Sequence, residues 1–148
     1  MKKNIKIVVL PKRKIHNIEN TLTEKHSIIS VYTPFSEPAN ILKNKNTEKI
    51  LFTSFDDYDT IIDNYEEFWG RKQILFSAVN AKEIIDFWNE INSDLLIVHC
   101  EAGVSRSPAI AAALSKINEE DDNFYFKNYR PNSLVYRTIL NYYNFKNL

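Results

Sequence analysis

Cysteine is all but missing from this chain. Cys100 is the only one in 148 residues, so no disulfide can form within the chain, and a reducing, cytoplasmic setting is the expectation. Excess charge is missing too: Lys plus Arg and Asp plus Glu stand at 19 each, and nothing global recommends a nucleic acid or a membrane as partner. No N-terminal apolar run reaches the length of a signal peptide or a membrane span. There are no repeats, no low-complexity linker and no cluster of metal-ligand residues, so neither a metal nor a cofactor is expected. Glycine occurs twice only, as Gly70 and Gly103, which makes the place of each informative.

What is present is ordinary globular composition, 44% hydrophobic and 26% charged, which argues against disorder. The length suits one compact domain, residues 1–148, and is short for two. Charge is uneven along it. The first eighteen residues carry only basic ionic side chains, including Lys12, Arg13 and Lys14, and read as solvated surface or as a phosphate-facing rim. Six acids fall between Asp56 and Glu67.

Short apolar, β-branched runs predict strands over Ile5–Leu10, Ser27–Tyr32 and Ile50–Phe55. Leu95–Val98 has four apolar residues without alternation, as in a strand buried on both faces. Helical spacing predicts a short helix over Ile15–Leu22 and another over Thr60–Trp69, with Asp59 as its N-cap, Ile61, Ile62, Tyr65, Phe68 and Trp69 on one side and Gly70 as its stop. Further helices are expected over Ser77–Asn92, with Asn80 and Glu83 as a loose capping pair, and over Ser133–Tyr143. Phe35–Lys49 reads as a surface excursion, and Phe124–Tyr129 is aromatic and ambiguous. Strands alternating with helices give an α/β domain: a central, mainly parallel sheet of four to five strands, flanked by helices and covered on both faces, with the phosphate-binding loop between the last strand and the following helix.

The stretch Leu95–Ile117 concentrates the chemistry. A strand ends at His99-Cys100, a turn carries Gly103 and Arg106, and Ser107-Pro108 opens an alanine-rich helix, Ser107 as N-cap and Pro108 in the first turn. The cysteine thus precedes a helix N-terminus, where anions bind and thiolates are stabilised. A loop that wraps a phosphate turns its amides inward, which a glycine permits; a guanidinium grips two phosphoryl oxygens side by side. With two glycines and five arginines in the chain, Gly at the third and Arg at the sixth position after the one cysteine arises by chance about once in two thousand placements. Cys100 is therefore read as a nucleophile aimed at phosphorus, in a cradle of Glu101, Ala102, Gly103, Val104, Ser105 and Arg106.

The run His99-Cys100-Glu101-Ala102-Gly103-Val104-Ser105-Arg106-Ser107 resembles the His-Cys-x-x-Gly-x-x-Arg-Ser/Thr signature of cysteine-dependent protein tyrosine phosphatases, nearest the compact dual-specificity-like branch. The resemblance extends to Ile50–Asp57, Ala81–Phe87 and Pro131-Asn132 with Val135, roughly the C-terminal two-thirds; the first 49 residues add little to it. It implies a phosphocysteine on Cys100, Arg106 and the loop amides on the equatorial oxygens, Ser107 hydrogen-bonded to the sulfur, and His99 orienting the loop from below. It also implies an aspartate general acid from a separate loop. The Phe-x-Asp after the third strand selects Asp57, with Asp56 as rival and Asp59 and Asp63 behind it. Glu101, beside the nucleophile, is expected on the rim, tuning substrate choice.

The function so implied is hydrolysis of phosphomonoesters in phosphorylated proteins or peptides, on tyrosine or with dual specificity. Two alternatives stand beside it. One is a catalytically weak or inactive phosphate-binding relative, and the other a phosphoinositide or RNA 5′-phosphatase of the same fold.

Overall fold

The computed structural model describes residues 2–148; Met1, the first residue of the expected domain, lies outside them. Four strands form one sheet: β1 (Lys6–Pro11), β2 (His26–Tyr32), β3 (Thr47–Ser54) and β4 (Leu95–Cys100). Their order is β1-β4-β2-β3 and every pairing is parallel. The last strand in the chain is thus inserted between the first two. Register puts Pro11 beside Cys100 and His99 beside Ser30, so the carboxyl end of β4 emerges with a neighbour on each side.

Alternation along β4 divides the core. Leu96, Val98 and Cys100 face one side, packed with Ile84, Ile110 and Ile139 of the helices α2 (Ala78–Glu90), α3 (Arg106–Ile117) and α5 (Ser133–Lys146). Leu95 and Ile97 face the other, which is covered without an α-helix. Ile15, Ile18 and Ala39 close it, from two 3-10 turns (Lys12–Lys14 and Ile18–Asn20) and from the excursion after β2. The helix expected over Ile15–Leu22 is therefore corrected: its apolar face is real, but Asn17 in a left-handed conformation (φ 61°) breaks it into those turns.

The helix expected over Thr60–Trp69 shrinks to α1 (Tyr65–Trp69). Gln73 takes over the backbone before it, accepting from Ile62 N–H at 2.9 Å and donating to Thr60 O at 3.0 Å, and Asn64 enters at φ 60°. Asp59 accepts from Ser133 Oγ (3.1 Å) and caps nothing. Gly70 does end the helix, at φ 70°. Of the predicted apolar side only Tyr65 is buried. In α2 the cap is Ser77, reciprocated by Asn80, one turn earlier than the Asn80–Glu83 pairing. Phe124–Tyr129 resolves into α4 (Asn123–Asn128), whose Tyr125 packs on Ala111 and Ala112 of α3. That contact explains the alanines: small side chains let α3 lie buried between the sheet and its neighbouring helices.

Candidate active site

β4 delivers Cys100 to the carboxyl edge of the sheet, where ligands of parallel α/β folds collect. Its side chain is 3% exposed, with Sγ 3.1 Å from Ser107 Oγ. The following helix starts at Arg106 with Ser105 at its N-cap, so the expectation of Ser107 as cap is corrected. Ser107 stands in the first turn, and its hydroxyl is free to face the sulfur because it is not engaged in capping.

The loop Glu101–Ser105 is held from outside by its carbonyls. Glu101 O accepts from Lys12 N–H (3.0 Å), Val104 O from Arg130 N–H (2.9 Å) and Ser105 O from Asn132 N–H (3.0 Å). In a trans peptide the N–H of the next residue points the opposite way, so the amides of Ala102, Ser105 and Arg106 are turned toward the hollow of the loop. Gly103 has φ +71°, and a β-carbon there would lie 2.9 Å from Pro11 N and 3.1 Å from Leu10 C. Backbone of β1 fills that space, so the loop tolerates only glycine.

Arg106 is 5% exposed and anchored from one side. Its Nη1 donates to Thr33 Oγ1 (3.1 Å) and to Phe55 O (3.0 Å), the positions just past β2 and β3. Nε is buried and has no hydrogen-bond partner among the described residues. A buried guanidinium N–H without an acceptor is costly, and an oxyanion in the adjoining loop is the group that would satisfy it.

His99 is buried beneath the loop. Cys100 O can only accept, so His99 Nδ1 donates to it (3.4 Å) and Nε2 accepts from Ser30 Oγ (2.6 Å). Burial holds the imidazole pKa below its ordinary value, so the ring is neutral at pH 7. Glu101 is exposed on the rim, 3.5 Å from Lys12 Nζ.

The two candidate acids have different surroundings. Asp56 is 2% exposed and bound by Arg71 through both oxygens, Nη2 to Oδ1 at 2.6 Å and Nη1 to Oδ2 at 3.0 Å, with Ile74 N–H on Oδ2 at 2.8 Å. Burial pushes its pKa up, but the hydrogen bonds from Arg71 and Ile74 and the guanidinium charge outweigh burial and hold it below the ordinary value. Asp57 is exposed, and its Oδ1 accepts from Ser105 Oγ (2.7 Å) and Asn132 Nδ2 (3.2 Å), which ties it to the cysteine loop. Asp63 lies exposed in the turn before α1. Asp56, Asp57 and Arg106 line one open cleft of about 510 Å³, with Phe35, Tyr65 and Trp69 on its wall.

Several contributors escaped the sequence reading. Thr33, the Phe55 carbonyl, Arg71 and the backbone of Leu10-Pro11 reach the site only through the strand order, and no local pattern marks them. Asn132, which the resemblance already singled out with Val135, caps α5 and accepts from Val135 N–H at 3.1 Å; only its bond to Asp57 is tertiary and unmarked by any local pattern.

No protein-family model and no curated protein sequence matches the chain. Solved structures do. The human tyrosine phosphatase-like serine/threonine/tyrosine-interacting protein superposes with a TM-score of 0.58 at 17% identity, covering 96% of this chain and 93% of that one. PTPMT1 in complex with PI(5)P gives 0.53 at 13% identity over 96% and 92%. PTPMT1 in a second structure gives 0.50 at 13% over 96% and 91%. Taken with the all-parallel sheet and the cysteine loop that leaves its central strand, these matches show that the chain has the dual-specificity phosphatase-like protein tyrosine phosphatase fold.

Proposed function

We propose that this protein hydrolyses phosphate monoesters through a phosphocysteine at Cys100. The observation that carries the reading is Arg106: buried, fixed through Nη1, with Nε unpartnered among the described residues beside inward-turned loop amides. In the first step the sulfur, as thiolate, attacks phosphorus and the ester oxygen leaves. Arg106 and the amides of the loop hold the three equatorial oxygens, whose charge they meet without reorganising. Asp57 gives its proton to the leaving oxygen. Asp56 is assigned no such part, because an aspartate held ionised by Arg71 has no proton to give. In the second step Asp57 takes a proton from water, the oxygen attacks phosphorus, and the S–P bond breaks to give phosphate. Ser107 O–H donates to the sulfur as its charge returns.

The proposed substrates are phosphorylated protein side chains, phosphotyrosine and with it phosphoserine or phosphothreonine. A phosphoinositide is the second reading, favoured by the PI(5)P in the PTPMT1 complex and by the basic turn Lys12–Lys14 beside the loop. The chemistry requires a reduced thiol, hence a reducing compartment. Retention of Cys100, Arg106 and Ser107 together in this geometry supports turnover over mere phosphate binding. The test is hydrolysis of an aryl phosphate in the presence of a chelator. Wild type turns it over and Cys100→Ser and Arg106→Ala do not; wild-type turnover no faster than Cys100→Ser would overturn the reading.

A further inference from the structure

The acidic segment after β3 leaves large apolar side chains uncovered. Ile61 is 80% exposed, Phe68 82% and Trp69 64%. Beside them runs a groove of about 520 Å³ walled by Ile61, Ile62, Tyr65 and Leu75, with Glu66, Glu67 and Lys72 also on it. The groove is a built feature, because Gln73 clamps the turn that carries Ile61 and Ile62 and Gly70 closes the short helix. Tyr65 lines both this groove and the cleft above Arg106, so the two share a wall.

Charge narrows the occupant. Among the nearby charges Asp56 is neutralised by Arg71, whereas Glu66, Glu67 and Lys72 make no ion pair among the described residues, so the two glutamates outweigh the one lysine on the rim. A rim of net negative charge disfavours an anionic lipid surface or a nucleic acid, and a second copy docking symmetrically would bring two net negative rims together. A basic and apolar polypeptide meets both the rim and the wall.

We propose that this groove binds the stretch of a phosphorylated protein that flanks the phosphoresidue and selects apolar and basic side chains there. The inference rests on the proposed phosphate binding in the adjoining cleft and adds its specificity. A phosphoresidue seated at Arg106 leaves its chain passing Tyr65 into the groove, where a leucine-sized side chain covers Ile61 and Ile62 and a lysine or arginine lies along Glu66 and Glu67.

The test is equilibrium binding to Cys100→Ser, which does not consume its ligand, of two fluorescent phosphotyrosine peptides of equal length, one flanked by Leu and Arg and the other by Ser and Glu. The first binds about tenfold tighter, or about 1.4 kcal/mol, and the gap narrows at high salt. Adding Glu66→Lys with Glu67→Lys removes most of that gap, and the milder Glu66→Gln with Glu67→Gln reduces it in a chain of undisturbed melting temperature. Hydrolysis of an aryl phosphate, which is too small to reach the groove, stays unchanged when the glutamate substitutions are made with Cys100 intact. Equal affinities for the two peptides, or a preference that survives both double substitutions, overturns the proposal. Selective binding without aryl phosphate hydrolysis by wild type leaves the groove standing and removes the hydrolase reading.

Discussion

Asp56 and Asp57 are adjacent in sequence, and replacing each with asparagine should damage different properties. Asp56→Asn removes the charge from a buried, bidentate pair and leaves Arg71 with a neutral acceptor. Breaking a fully buried pair costs about 3–5 kcal/mol. Arg71 is 21% exposed at its side chain and water recovers part of that, so about 2–3 kcal/mol is expected, which at this chain length lowers the melting temperature by roughly 5–10 °C. Asp57→Asn keeps two hydrogen-bond partners at an exposed position and costs under about 1 kcal/mol. The rates reverse the order. An alkyl phosphate has a poor leaving group, and losing the proton donor should slow it by about 10²–10⁴, whereas an aryl phosphate with an electron-poor ring departs without help. The assay is kcat/KM on both substrates at a temperature where each variant is folded, beside thermal denaturation. If Asp56→Asn carries the leaving-group-dependent loss while Asp57→Asn melts early, the division of labour drawn from Arg71 and Ser105 is refuted.

Acid should unfold the protein in part through Asp56. Its folded pKa lies below the ordinary value, so its stabilisation is complete above about pH 3.9 and is lost as pH falls through the lower folded value; Asp56→Asn should flatten the acid limb of a urea-unfolding series. His99 acts with the same sign at higher pH, because burial lowers its pKa: stability is full above about 6.5 and declines as pH falls toward the folded value, a slope that His99→Gln should reduce. Gly103→Ala must hold φ +71° and a β-carbon 2.9 Å from Pro11 N, so it should cost at least about 1–2 kcal/mol by denaturant titration and weaken inhibition by phosphate. Ser107→Ala removes the hydroxyl 3.1 Å from the sulfur; a lost hydrogen bond to a charged group of about 1.5–3 kcal/mol slows the second step roughly tenfold to a hundredfold, seen as a burst of phenol before a slow steady rate.

The sheet was readable because four apolar runs with turn residues at their ends admit little else, and β4 stood out because nothing polar interrupts Leu95–Val98. Helix α2 was readable from the spacing of Ile84, Ile85, Phe87 and Trp88, all buried. The stretch Thr60–Trp69 misled because its apolar spacing is helical while its backbone bonds go to Gln73, eleven or more residues away, and its side chains serve a surface rather than the core. The helix expected over Ile15–Leu22 failed for a related reason: Ile15 and Ile18 bury themselves from 3-10 turns, which share the helical spacing over so short a span. At the site, Cys100, Gly103 and Arg106 were legible together because they occupy one loop. Thr33, Arg71 and the Pro11 backbone were not, since they meet that loop only after β4 is inserted between β1 and β2.

Hydrolysis through Cys100 requires a covalent phosphoryl group on its sulfur. Asp57→Asn, which slows the second step as well as the first, is mixed with an aryl phosphate, quenched in acid within a turnover and digested, and the peptide spanning Cys100 is weighed. One added phosphoryl group is expected on that peptide, absent from Cys100→Ser treated alike and lost on longer incubation once substrate is exhausted. Hydrolysis that proceeds at the same rate with no phosphoryl group on the Cys100 peptide at any time would contradict it.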